Sequence, residues 1–141
     1  MSNATLQRVL VTGGAHRLGA LICTQFARAG WEVWCHFQRS ADAAIALCAD
    51  LRAQGHEAHA VKADLADEAD RRRMVEEITA KSGPVHCLVN NASSFEPDAG
   101  DALNVNAARQ QIEVNLLAPL SLSSLMAQSI SSEDESGARS I

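Results

Sequence analysis

The stretch from Arg8 to Gly30 constrains the fold more than any other part of the chain. Arg8 to Thr12 (RVLVT) is a short apolar run ending in glycines, as a buried strand does. Arg17 to Ala29 then carries Leu18, Leu21, Ile22 and Phe26 at helical spacing until Gly30 stops it. Between them lies Thr12-Gly13-Gly14-Ala15-His16-Arg17-Leu18-Gly19. Glycines at such a turn let the backbone bend tightly and approach a pyrophosphate, whose charge is then held by free N–H groups at the helix N-terminus. An ordinary glycine-containing strand-to-helix turn fits the same letters. Its position in a first strand-helix-strand unit is what favours the anion-binding reading.

The alternation continues. Glu32 to Phe37 (EVWCHF) reads as a strand, Ser40 to Gln54 as an Ala-rich helix capped by Ser40 and ended by Gly55, and Glu57 to Lys62 as a third strand. A third helix spans Asp67 to Lys81, with Asp67 as N-cap and Gly83-Pro84 as the stop. Its Arg71-Arg72-Arg73 triple reads as a solvated charged face, because Arg72 and Arg73 stand one turn from Glu76 and Glu77. His86 to Asn90 makes a fourth strand, Asn91 to Gly100 a polar loop, and Leu103 to Ile130 a long helical region. Pro119 inside it either begins a second segment or kinks the helix, and the sequence leaves both open. Ser131 to Gly137 reads as a charged, turn-forming linker before the end at Ala138-Arg139-Ser140-Ile141. Strands separated by helices require right-handed crossovers and a parallel sheet covered on both faces. The expected fold is α/β, a doubly wound Rossmann-type sheet in the order 3-2-1-4, with residues 1–141 as one incomplete domain.

Composition removes several partner classes. Twelve Lys and Arg stand against 17 Asp and Glu, a net charge of -5, so nothing electrostatic points to nucleic acid or an anionic membrane. No apolar stretch approaches the roughly 20 residues that a spanning helix needs. Cys23, Cys35, Cys48 and Cys87 form no C-x-x-C pair and no secretory signal precedes them, which reads as a reduced, cytoplasmic protein. His16, His36, His56, His59 and His86 lack zinc-type spacing and read as structural or surface residues, with no metal expected.

Thr12-Gly13, Gly19, Asp64 after the third strand, Asn90-Asn91-Ala92 after the fourth and Asn115 in the next helix occur in this order. That pattern resembles the short-chain dehydrogenases/reductases over residues 8 to 130, nearly the whole chain. Two departures, Arg17 for the middle glycine and Ser93 for the glycine after Asn-Asn-Ala, resemble the family's pteridine reductase branch, as do His36-Phe37-Gln38-Arg39-Ser40 and Asn91-Ala92-Ser93-Ser94-Phe95. The resemblance implies that Gly13, Arg17, Leu18, Gly19, His36, Phe37, Arg39 and Ser40 contact the cofactor. It also implies that Asp64 and Leu65 border the adenine, and that Asn91 and Ala92 line the adenosine ribose side. Arg17 and Ser93 would reach phosphate oxygens or the substrate, Phe95 would stack on a flat substrate ring, and Asn115 would serve catalysis through a water-linked proton relay. Asp64 also fits as a helix-entry residue, and Phe95 as a cover on the edge of the core. The implied assembly is a homo-oligomer acting on a pteridine or another small carbonyl or imine.

The expected cofactor is NADPH. NAD-selective sites of this fold place Asp or Glu at the end of the second strand, where this chain has His36-Phe37-Gln38-Arg39-Ser40. Arg39 brings a permanent positive charge with a forked donor, although a solvent-facing arginine before a helix reads the same way. In the family a Tyr, with a Lys four residues later, donates the proton from a segment after strand five. This chain has no tyrosine and stops where that strand would begin. The expectation is therefore an NADPH-dependent reductase represented by its cofactor-binding half and inactive alone. The alternative is a non-catalytic or degenerate nucleotide-binding protein.

Overall fold

The computed structural model describes residues 5–138, with side chains to residue 132. Residues 139–141, the end of the sequence, lie outside the described residues. The elements are β1 (Arg8–Val11), α1 (Arg17–Arg28), β2 (Glu32–Phe37), α2 (Ala41–Ala53), β3 (Ala58–Lys62), α3 (Glu68–Ser82), β4 (Cys87–Val89), α4 (Val105–Ile112), a π-helical turn (Glu113–Leu117) and α5 (Ala118–Ala138). All strand pairs are parallel, in the order β3-β2-β1-β4. The doubly wound order expected from the sequence is the observed one.

Alternation along the strands divides the core between the two faces of the sheet. Leu10, Trp34 and Val61 point to one side, where α3 and α5 cover them with Met74, Val75, Ile78, Leu122 and Met126. Val9, Val11, Val33 and Cys35 point to the other, beneath Cys23 and Ala27 of α1 and Ala44, Cys48 and Leu51 of α2. All four cysteines are free. The hydrogen bond that its S–H donates to Cys23, with burial, pushes the Cys35 thiol up to about 12, so this thiol sits in the core as a neutral apolar group. At the N-terminal ends of the strands a buried Glu32 carboxylate accepts from Arg8 Nε (2.9 Å), Trp34 Nε1 (3.1 Å) and Ser82 Oγ, with His59 Nε2 at 3.4 Å. This polar knot ties the end of the sheet that lies away from the glycine turn. No helix among the described residues is long and apolar enough to cross a membrane.

Two local readings need correction, and the open one at Pro119 is decided. Ser131 to Gly137 is not a turn-forming linker, since α5 runs on to Ala138. Ser131 Oγ bonds back to the Ala127 carbonyl (3.0 Å) and Ser132 Oγ to that of Ser129 (2.9 Å), so these hydroxyls lie along the helix instead of opening a turn. Pro119, where two readings stood open, is the second residue of α5, and the π-helical turn just before it widens the coil where a proline ring would meet the preceding turn and leave a carbonyl without its donor. Arg71 does not belong to the solvated face. It is 3% exposed, whereas Arg73 makes the surface pairs, with Glu77 (3.0 Å) and Asp70 (2.6 Å). Positions 71, 74, 75 and 78 form one helical stripe, and Arg71 lies on its apolar side.

Candidate functional site

A cleft of about 560 Å³ opens beyond the C-terminal ends of β1, β2 and β4. Its floor is the glycine turn. Gly13 adopts φ +61°, and a Cβ there would stand 3.0 Å from the Ala92 Cα. At Gly19 a Cβ would lie 2.1 Å from the Gly13 carbonyl oxygen and 2.9 Å from the Gly14 Cα, so only glycine lets α1 start this close to the turn. Arg17 stands at φ +49°, the left-handed region, which accounts for the glycine that the family pattern has there. The backbone strain of a non-glycine residue is thus stored on the rim of the cleft.

The turn is held from two sides. On the β4 side, Thr12 Oγ1 accepts from Asn91 N (3.1 Å) and Ala92 N (3.0 Å), and Asn91 Nδ2 donates to the carbonyls of Thr12 (3.1 Å) and Gly13 (3.0 Å). On the β2 side, Gly13 N donates to His36 Nδ1 (3.0 Å) and Gly14 N to the His36 carbonyl (2.9 Å). His36 Nε2 lies 3.0 Å from the Ala63 carbonyl. Burial holds the imidazole below its usual pKa, against the pull of the Ala63 carbonyl, Asp70 and Asp64. The ring is 2% exposed, so it supports the turn from beneath even where its edge borders the cleft.

Two helix N-termini face this space with open donors. α1 begins after His16, which makes no side-chain cap bond, and its first turn holds no acidic residue. Ser40 occupies the N-cap position of α2, as expected, but its hydroxyl makes no capping bond. Its ψ of 52° departs from the extended geometry that aims such a hydroxyl at the helix amides. The hydroxyl thus remains available to a ligand beside Arg39, which is exposed and lines the cleft with Phe37 and Gln38. Uncapped N–H groups, a positive side chain and a glycine floor are the donor types by which proteins hold phosphate.

The cleft lining brings together Gly13, Arg17, Leu18, Gly19, His36, Phe37, Arg39, Ser40, Leu65, Asn91, Ala92 and Ser93 of the expected site. It does not include Asp64, Phe95 or Asn115. Asp64 Oδ1 accepts from Ala66 N (2.9 Å), the helix-entry geometry that the sequence left open beside its adenine role. Asp64 N in turn donates to Asp70 Oδ2 (2.6 Å), and Asp70 is held below its usual pKa first by the Arg73 guanidinium and then by this amide. Phe95 is 81% exposed and covers no core. Asn115 sits in the π-helical turn and grips Ser94 with both side-chain atoms, Oδ1 accepting from Ser94 N and Nδ2 donating to Ser94 O, each at 2.7 Å. Sequence reasoning passed over Thr12 as a clamp, and over His16, Gln38, Ser94, Glu96 and Gln110 in the lining. For Thr12 a signal existed, a hydroxyl between an apolar strand and the glycines, where a buried polar atom must find partners.

Residues 7–138 match the family model for short chain dehydrogenases. The chain belongs to the short-chain dehydrogenases. It is 37% identical over 109 residues to a probable galactose dehydrogenase, GalD, of Rhizobium meliloti, an alignment covering 77% of this chain and 42% of that one. Among solved structures it resembles the FolM alternative dihydrofolate reductase 1 from Brucella canis complexed with NADP, with 36% identity, a TM-score of 0.82, and coverage of 87% of this chain and 49% of that one. A blue fluorescent protein from a metagenomic library in complex with NADPH superposes with a TM-score of 0.83 at 30% identity, covering 91% of this chain and 53% of that one. This short-chain dehydrogenase chain therefore spans about half the length of the relatives it matches.

Proposed function

We propose that this chain is the dinucleotide-binding portion of an NADPH-dependent oxidoreductase of the pteridine-reductase type. The observation that carries the reading is Arg39 beside the uncapped Ser40 at the end of β2, where an NAD-selective site would place a carboxylate. A 2′-phosphate meets there a guanidinium, a hydroxyl and the N-terminus of α2. A charge-assisted hydrogen bond is worth about 1.5–3 kcal/mol, so Arg39 supplies on the order of ten- to a hundredfold preference for NADPH over NADH. The NADP and NADPH held by the two solved relatives support the same choice.

In this reading the uncapped start of α1 holds the pyrophosphate above Gly13 and Gly19, with Leu18 against it and Arg17 reaching phosphate oxygens or the substrate. Leu65, with the Asp64 backbone, borders the adenine. Asn91 and Ala92 line the ribose side. NADPH, when bound, supplies the hydride. Ser93 and Phe95 meet the substrate, a pteridine or another carbonyl or imine, a class supported by the dihydrofolate reductase description of the FolM relative. Asn115 positions that segment through Ser94, and the second lone pair on its Oδ1 is open to the water of a proton relay. The four free thiols fit a cytoplasmic setting. The phenolic acid of the family resemblance is not among these residues, since the sequence has no tyrosine.

Calorimetric titration of NADPH and NADH into the 141-residue chain and its Arg39→Ala variant tests the proposal. Selective NADPH binding in the parent, lost in the variant, is expected, with no NADPH oxidation when dihydrobiopterin is added. Equal affinities in the parent, or an unchanged ratio in the variant, would remove the cofactor assignment. Robust oxidation by the verified 141-residue chain would overturn its expected inactivity.

A further inference from the structure

We infer that His36 is the positioning residue of the dinucleotide turn, fixed as the neutral Nε2–H tautomer, and that protonating it releases the turn. The inference rests on the nucleotide reading above. Its geometry stands on two hydrogen bonds. Gly13 N–H points at Nδ1 from 3.0 Å, so Nδ1 must present a lone pair. The Ala63 carbonyl, which has only lone pairs, lies 3.0 Å from Nε2, so Nε2 must carry the hydrogen. Both demands select one neutral tautomer, and a ring 2% exposed has no water to substitute for either partner.

What the ring fixes is the orientation of the Thr12–Gly13 peptide. With its N–H held by Nδ1, the Thr12 carbonyl of the same unit accepts from Asn91 Nδ2 (3.1 Å), while the next unit is held by Gly14 N on the His36 carbonyl (2.9 Å), with its Gly13 carbonyl against Gly19, where α1 begins. The amides left for a phosphate are then those at the start of α1. The same ring reaches Ala63, two residues before Leu65 of the cleft lining, so one side chain holds two walls of the nucleotide site in register. A second proton on the ring would place Nδ1–H against Gly13 N–H, two donors facing across 3.0 Å, and the turn would have to leave its pyrophosphate-ready shape.

The charges around the ring decide where this happens. Asp64 and Asp70, from the segment after β3 and from α3, favour the protonated form, while burial opposes it and prevails. Arg17 and Arg39, from the start of α1 and the end of β2, border the same cleft. β3 pairs Val61 with His36, and β1 carries no titratable side chain except Arg8 at its far end.

Asn and Gln substitutions separate the two hydrogen bonds. His36→Asn places an amide oxygen near the Nδ1 position, where it accepts from Gly13 without titrating. His36→Gln reaches towards Ala63 but offers Gly13 nothing. NADP+ affinity is measured from pH 7.5 to pH 5 in all three proteins by calorimetry. The phosphate of the dinucleotide titrates near pH 6 in every case, so the ratio of parent to Asn variant isolates His36. On lowering the pH, the parent is expected to lose affinity by about tenfold relative to His36→Asn, the worth of one net hydrogen bond, and His36→Gln to bind weakly throughout. A ratio that does not change with pH overturns the inference. Absence of NADP+ binding by the parent at pH 7.5 overturns instead the nucleotide reading beneath it. Nitrogen-15 NMR of the parent decides the tautomer without a variant. An Nε2–H ring whose titration moves the Gly13 amide resonance supports the assignment, and an Nδ1–H ring or an indifferent Gly13 amide overturns it.

Discussion

At the scale of single residues, the site depends on positions where no other side chain fits. Gly19 is the most confined, since a Cβ there would meet the Gly13 carbonyl oxygen at 2.1 Å, the Asn91 side-chain nitrogen at 2.7 Å and the Gly14 Cα at 2.9 Å. Two of these are backbone atoms and cannot swing aside. Gly19→Ala is therefore expected to cost at least the ~1–3 kcal/mol typical of overpacking and to abolish NADPH binding, because relief requires α1 to move off the turn. Gly30→Ala serves as control, since nothing lies within 4 Å of its Cβ position, although its φ of +86° carries a strain of its own. Urea unfolding and NADPH titration on both variants check this, and a Gly19→Ala protein that binds normally would show that the close approach is not needed. The glycine pattern was legible in the sequence because a tight turn before a helix has few chemical solutions. The His36 clamp was not, because a histidine that caps a turn and one that merely fills a strand end are spelled alike. Only the partners at Nδ1 and Nε2 separate them.

At the scale of elements, Arg71 joins three pieces of chain that sequence separates widely. Its Nη1 donates to the Leu65 carbonyl (2.6 Å) and Glu113 Oε1 (3.1 Å), and its Nε donates to Ser121 Oγ (3.2 Å). One buried guanidinium thus fixes α3 to the Leu65 edge of the cleft, to the π-helical turn that carries Asn115, and to α5. Arg71→Met keeps the volume but leaves the Leu65 carbonyl without a donor, which is expected to cost about 1–3 kcal/mol. Glu113 adds less, since its side chain is 31% exposed and water can take over. A lowered urea midpoint with an unchanged slope, together with weaker NADPH binding, is the expected outcome, and an unshifted midpoint would show that the link is idle. The sequence concealed this role behind the neighbouring Arg72 and Arg73, although the 71, 74, 75, 78 spacing holds the clue. Element boundaries were otherwise plain where caps spell them out. Asp67 accepts from Ala69 N and Asp70 N, as an N-cap should, whereas the serine-rich continuation of α5 spells a turn and forms a helix.

At the scale of the molecule, the sheet order followed from the alternation of strands and helices, since right-handed crossovers leave few arrangements for four parallel strands. What the period of the helices did not specify is how unequally the last ones are covered. α5 buries Ala118, Leu122 and Met126 against the core, while Ile112, Leu116 and Leu120, at four-residue spacing, are 53%, 54% and 61% exposed. β4 lies at the end of the sheet and pairs only with β1, so its outer edge has free N–H and C=O groups among the described residues. An apolar row and an open strand edge on one polypeptide both favour association, the first through burial worth about 25 cal/mol per Å² and the second through backbone pairing. The 141-residue chain is accordingly expected to self-associate, and Leu116→Glu with Leu120→Glu to shift it towards monomer without disturbing Leu122 or Met126 on the buried face. The negative net charge strengthens the effect of the added carboxylates, and moderate salt should weaken it. Light scattering over a range of concentrations measures this. A parent that stays monomeric at high concentration and melts cooperatively would contradict the expectation, and a double variant that associates as before would assign the contact to the β4 edge instead.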